Sequence, residues 1–195
     1  VNHRFLWAMN FLARQLTPHI TRALGVERVI AIMGARQTGK TTLVRQLLKT
    51  ARPVQYYNLK DPSVRAALQG DGARREFAHY AEHLIILDEV QRLPELVERV
   101  QLDVDDRPTV KGRFLLLGSN HLLLHRQVKE SLAGRVALYR LDPLSFHELC
   151  GLDGSGLLST LLESESVGAA ERTLAEFYIP VQESAELLDR FMEFN

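Results

Sequence analysis

Gly34-Ala35-Arg36-Gln37-Thr38-Gly39-Lys40-Thr41 follows the spacing G-x-x-x-x-G-K-[ST], and that spacing suits one task, holding a chain of phosphates. Gly34 and Gly39 let the backbone curl close to an anion. Successive N–H groups then face inward, and a following helix adds the positive end of its dipole. Lys40 is placed to reach the β- and γ-phosphates, and the Thr41 hydroxyl to sit on Mg²⁺. Ala35, Arg36, Gln37, Thr38 and Thr42 complete the candidate nucleotide-binding set.

Asp88-Glu89 says what would happen to the phosphate. The pair ends an apolar run, Leu84-Ile85-Ile86-Leu87. An acid at the end of a buried strand can join the Mg²⁺ shell, the role expected of Asp88. Glu89 can accept a proton from an attacking water or orient it. A phosphotransferase acting on a metabolite needs no base poised on water, so the pair favours hydrolysis over kinase chemistry. The competing reading is that the two carboxylates cap the helix that follows.

Two further positions carry candidate chemistry. Ser119 and Asn120 end the next apolar strand, where a polar side chain can touch the γ-phosphate or the water, or else cap the following segment. Arg135, after Ser131-Leu132-Ala133-Gly134, can neutralise charge on a transferring phosphoryl group as an arginine finger. A surface ion pair is the alternative reading of the same residue.

These groups need elements to position them. Val29-Ile30-Ala31-Ile32-Met33 is a β-branched apolar run expected to be a buried strand. From Lys40 to Thr50, Leu43, Val44, Leu47 and Leu48 recur at helical spacing. Further strands are expected at 53–58, 84–87, 114–117 and 136–141, with helices at 62–70, 74–83 and 93–105, and a short one through Cys150. Pro62 and Pro94 suit first turns of helices. Alternating strands and helices predict an α/β fold with a doubly wound parallel sheet, its site at the carboxyl ends of the strands. Val1 to Gly25 reads as a helical lead-in. Gly151 to Gly168 reads as linker, and Ala169 to Asn195 as an amphipathic helical tail. The expected division is a P-loop core over 1–150 and an appendage over 151–195.

Composition sets bounds. The chain has 195 residues and is 46% hydrophobic, enough for a sizeable core. Its 24 basic and 24 acidic residues balance, which gives a general nucleic-acid or membrane-surface role no support. A nucleic-acid partner reached through a local patch stays open. One cysteine, Cys150, precludes an internal disulfide and fits a reducing, cytoplasmic compartment. No run approaches the length of a membrane span. The mixed start lacks a signal-peptide pattern, and its opening valine fits a trimmed start.

Several patterns compete for attention. His79-Tyr80-Ala81-Glu82-His83 fits H-x-x-E-H, with both histidines expected on one helix face. No third ligand follows at an obvious spacing, and catalytic zinc needs three protein ligands. A solvated helix end is the better reading. His121 and His125 read as surface. Tyr56-Tyr57 can stack on a base, but the pair falls on an expected strand and reads as core or sheet surface. Arg74-Arg75 and Arg126 with Lys129 are too sparse for a nucleic-acid patch.

Four strings, Met33 to Thr42, Ile85 to Pro94, Leu117-Gly118-Ser119 and Ser131 to Val136, stand in the order seen in prokaryotic AAA-type ATPases of the AAA_14 group. Leu141 to Leu149 looks like the segment that follows the core there. The resemblance implies a five-stranded sheet of order 5-1-4-3-2, ATP with Mg²⁺ as ligands, Asp88 and Glu89 as metal-shell and catalytic acids, Ser119 or Asn120 as sensor, and Arg135 as finger. That group usually has a second serine where Asn120 stands, so both positions stay candidates. Its proteins usually add a C-terminal DUF4143 region, which 169–195 does not clearly match, so a chain cut short of that region is expected.

The expectation is an Mg²⁺-dependent, ATP-binding and ATP-hydrolysing protein whose output is a conformational or regulatory change, with a homo-oligomer or protein partner in view. A nucleotide-gated switch with negligible turnover alone is the first alternative, a small-molecule P-loop kinase the second.

Overall fold

The computed structural model describes residues 12–47, 53–119, 128, 130–145 and 148. Two compact units make up the chain: Leu16–Pro143, and a second of Val1–Gln15 with Leu144–Asn195. In the second unit, Glu148 gathers the described contacts. Its carboxylate accepts from Arg14 Nε at 3.0 Å, Gln15 N at 2.8 Å and Ser145 N at 2.9 Å. The expected linker and helical tail (151–195) lie outside the described residues.

The first unit opens with α1 (Leu16–Val26), then β1 (Val29–Gly34), α2 (Lys40–Leu47) and β2 (Val54–Asn58). Next come α3 (Pro62–Ala67), α4 (Gly72–His79), β3 (Leu84–Asp88), a 3-10 turn (Val90–Arg92) and α5 (Leu96–Asp106). It closes with β4 (Phe114–Ser119) and β5 (Val136–Arg140). All five strands are parallel in the order β2-β3-β4-β1-β5. Read from the other edge, that is the expected 5-1-4-3-2.

Alternation along the central strands explains the two layers of helix. Val29, Ala31 and Met33 face one way with Ile85, Leu87, Phe114 and Leu116, against Phe77 of α4 and Leu96, Val97, Val100 and Val104 of α5. Ile30 and Ile32 face the other way with Ile86, Leu115 and Leu117, against Ile20 of α1 and Leu43, Val44 and Leu47 of α2. Strands buried on both faces must read as continuous apolar runs, which is why these segments show no polar alternation. Each large side chain so buried is worth about 1.5–3 kcal/mol.

Helix ends depart from the sequence reading where turns intervene. Asp61 caps α3 by accepting from Ser63 N at 2.8 Å, with Pro62 at its first position. The helix stops at Ala67, short of the expected Gly70, because Gly70 adopts φ 57° in the turn that leads to α4. α4 begins at Gly72, closed by Gly72 N donating to Gln69 O at 3.0 Å, and ends at His79 rather than His83. α5 starts at Leu96 because the chain first makes its 3-10 turn.

Candidate functional site

The carboxyl ends of the strands bring the motif residues together. β1 ends at Gly34, beside Ser119 of β4, and β3 ends at Asp88, beside Asn58 of β2 and Leu117 of β4. The loop from Ala35 to Gly39 joins β1 to the amino end of α2. Gln37 (φ 65°) and Gly39 (φ 83°) take left-handed backbone, a conformation that glycine adopts freely and glutamine does not. Gly34 is needed for a different reason. A Cβ there would lie 2.3 Å from the Leu141 carbonyl oxygen, where the chain leaving β5 bonds back to Met33.

Within the loop, Lys40 is buried and donates from Nζ to Gly34 O at 2.9 Å and Ala35 O at 2.5 Å. Thr38 Oγ1 donates to Ala35 O at 3.0 Å. Burial pulls the Lys40 pKa below its ordinary value, and the carboxylates of Glu89 and Asp88 oppose that shift. Arg36, Gln37 and Thr42 are exposed around the loop and the first turn of α2.

The acidic pair is held by neighbours. Asp88, 6% exposed, accepts on Oδ2 from Thr41 Oγ1 at 3.1 Å and from the Tyr56 hydroxyl at 2.5 Å. Glu89 takes left-handed backbone (φ 61°, ψ 46°) at the start of the 3-10 turn and makes no side-chain cap there. The helix-capping alternative therefore fails for Glu89. Such backbone costs a non-glycine residue about 1–2 kcal/mol. It turns the Glu89 carboxylate toward Lys60 Nζ, at 3.1 Å, and toward Gln91 Nε2, which donates to it. Burial alone would raise the Glu89 pKa. The Lys60 ammonium, the Gln91 bond and the Lys40 charge outweigh burial and hold it below the ordinary 4.5. Gln91 also reaches β4, accepting on Oε1 from Ser119 N at 3.4 Å.

Ser119 thus lies beside both the loop and the acidic pair, whereas Asn120 falls outside the described residues. Arg135 is not brought to this site. Its backbone carbonyl bonds Val29 N where β5 enters the sheet, at the amino end of β1. The five steps from Val29 to Gly34 span about 17 Å of strand. The guanidinium grips Asp105 with Nε–Oδ1 2.5 Å and Nη2–Oδ2 3.0 Å. The surface-pair reading of Arg135 therefore describes its own chain, and a finger role within the same chain does not fit.

The histidine pattern dissolves as well. α4 ends at His79, so His79 and His83 share no helix face. The Tyr80 ring sits against both, edge to face, with centroids 4.6 Å and 5.0 Å apart. No metal-holding cluster of three or more His, Cys, Asp or Glu occurs among the described residues.

The structure adds Tyr56, Lys60 and Gln91 to the site, where the sequence reads Tyr56 as core or sheet surface and gives Lys60 and Gln91 no role. Tyr57 is core, donating to Glu76 Oε2 at 2.6 Å, but Tyr56 faces the site. The available signal was its place two residues before the end of a strand adjacent to the acidic one.

A glycine loop opening a helix beside an acid-tipped central strand is the frame of a nucleotide-binding α/β domain, and comparison with known sequences agrees. The sequence model of AAA_14, described as an AAA domain, matches residues 26–150. The chain belongs to the AAA_14 family. Two uncharacterized proteins, of Mycobacterium tuberculosis and Mycobacterium bovis, are each 37% identical to this chain over 144 residues, which is 70% of it. That stretch spans 30% of the length of each mycobacterial protein. Among solved structures, the chain is similar to a Walker-type ATPase of Pyrococcus abyssi at TM-score 0.52 and 17% identity, over 94% of this chain and 77% of that one. At that identity the likeness concerns the fold.

Proposed function

We propose that this AAA domain binds ATP with Mg²⁺ and hydrolyses it, and that the exchange drives a conformational change in a larger protein or assembly. The observation that carries the reading is the 3.1 Å contact from Thr41 to Asp88, which joins the loop to the tip of β3. A hydroxyl and a carboxylate converging on one spot form a hard oxygen donor set that fits Mg²⁺. Thr41 and Asp88 would hold the ion, which when bound neutralises charge on the β- and γ-phosphates. Loop N–H groups from Gly34 to Thr41 would cradle the phosphates, with Lys40 exchanging its carbonyl partners for phosphate oxygens. Ala35, Arg36, Gln37, Thr38, Gly39 and Thr42 would border the nucleotide.

Glu89 would orient the attacking water. Its lowered pKa makes it a weak proton acceptor at neutral pH, which suits aligning a water better than deprotonating one. Ser119, tied to Gln91, would sense the γ-phosphate, a role its sequence neighbour Asn120 would share. Arg135 would act as a finger only toward the site of a second copy. ATP rather than another nucleotide rests on family membership, and a cytoplasmic setting on the lone cysteine. No described helix is long and apolar enough to cross a membrane.

One observation favours a second reading, a nucleotide-gated switch with little turnover alone. Lys60, 58% exposed, is paired to Glu89, and a carboxylate held there is drawn off a water. Small-molecule kinase chemistry gives Glu89 nothing to do. Phosphate release per mole of protein, measured across a concentration series, separates the readings. A specific rate that rises with concentration supports an assembling ATPase served by Arg135. A flat, nonzero rate keeps the ATPase and removes that role, and no release at any concentration leaves the switch.

A further inference from the structure

Asp88 receives a second donor, from a residue outside the phosphate and acidic motifs. Tyr56 lies on β2, an edge strand, where Asn58 is in register with Asp88. From two residues back, its long side chain reaches diagonally across the strand pair. The hydroxyl donates to Asp88 Oδ2 at 2.5 Å, on the oxygen that also accepts from Thr41. Two donors from different elements on one carboxylate oxygen fix the plane of the group, and a hydrogen bond to a charged acceptor is among the stronger ones. At 38% exposed, the ring is not spent on the core. Its neighbour Tyr57 is buried and bonds Glu76 instead.

We propose that Tyr56 is a positioning residue for Asp88: its hydroxyl holds the carboxylate in the orientation that a divalent cation, bound with the nucleotide, requires. The proposal rests on the reading of Asp88 as a metal-shell acid. It makes the strength of Mg²⁺ coupling to nucleotide depend on one phenol, with no effect on the phosphate cradle itself.

The test is the affinity for a fluorescent ATP derivative, mant-ATP, measured in EDTA and over a MgCl₂ titration. The wild type, Tyr56→Phe, Tyr57→Phe and Asp88→Asn are compared. Tyr56→Phe is expected to keep its EDTA affinity within about twofold while the MgCl₂ concentration for half-maximal effect rises about five- to tenfold, the size of one charged hydrogen bond partly lost. Tyr57→Phe is expected to leave that concentration unchanged. If Asp88→Asn loses the Mg²⁺ dependence but Tyr56→Phe tracks the wild type, the proposal is overturned and the reading of Asp88 stands. If Tyr56→Phe weakens binding equally with and without Mg²⁺, its role is structural and the proposal fails. If Asp88→Asn retains the full Mg²⁺ dependence, the reading of Asp88 itself falls, and the proposal with it.

Discussion

The two ends of the parallel sheet use the same residue types for opposite purposes. At the amino ends, Arg113 is fully buried and donates to the carbonyls of Phe77, Tyr80 and His83 and to Asp103. It closes the carboxyl terminus of α4, whose last carbonyls have no helical partner. Arg28 and Arg135 converge on Asp105 nearby. At the carboxyl ends, Lys40 donates to the carbonyls of Gly34 and Ala35 and Lys60 pairs with Glu89 from solvent. Backbone strain is also concentrated there: Gln37 and Glu89 are the described non-glycine residues with positive φ. A cation that satisfies helix ends is part of the framework. One resting on groups that a ligand could replace belongs to a site.

The sharpest way to break this contrast is Arg113→Met, which takes the buried guanidinium from Asp103, left with Arg107, and from the carbonyls of Phe77, Tyr80 and His83. It is expected to cost about 3–5 kcal/mol of stability in urea unfolding, while nucleotide affinity per folded molecule stays unchanged. An equal loss of affinity would tie the amino end to the site. Gly34→Ala comes next, because its methyl must displace the Leu141 backbone. About 1–3 kcal/mol of destabilisation is expected from overpacking, together with weaker nucleotide binding, readable as a smaller ATP-induced rise in melting temperature. A variant that bound and melted like the wild type would show that β5's exit does not constrain the loop.

Smaller effects test the acidic pair and the arginine. Glu89's folded pKa lies below its ordinary 4.5, so its ionisation adds stability that is present above that pH and lost as pH falls through the folded value. Lys60→Met removes a main cause of the lowering. The acid limb of the turnover profile is then expected to move to higher pH, and an unmoved limb would mean that Lys60 does not govern the carboxylate. Arg135→Ala is expected to leave nucleotide affinity at low protein concentration unchanged and, where turnover depends on concentration, to flatten that dependence. A lost affinity in dilute protein would contradict its place at the far end of the sheet.

What the sequence could reveal divides along the same line. The loop and Asp88-Glu89 were legible because their chemistry sits in contiguous residues, and the strands because burial on both faces leaves uninterrupted apolar runs. Tyr56 and Lys60 were not, since the expected order 5-1-4-3-2 sets β2 beside β3 without saying which side chains reach across to the acidic pair. For Arg135 the sequence leaves finger and surface pair both open, and the topology, which puts its backbone a strand's length from Gly34, favours the pair within its own chain. His79 and His83 matched a metal pattern that assumed a continuous helix, and α4 ends between them. Helix ends depart from the sequence expectation wherever a turn intervenes, as at Gly70 and in the 3-10 turn after Glu89.

Conversion of bound ATP at the carboxyl end of β3 is the proposal on which the rest depends. Single-turnover hydrolysis with protein in excess of ATP tests it directly, comparing the wild type with Glu89→Gln and checking equal ATP binding in both. The substitution is expected to slow the bound-ATP step by about a hundredfold or more without weakening binding. Wild-type and Glu89→Gln proteins that cleave bound ATP at the same rate would contradict it.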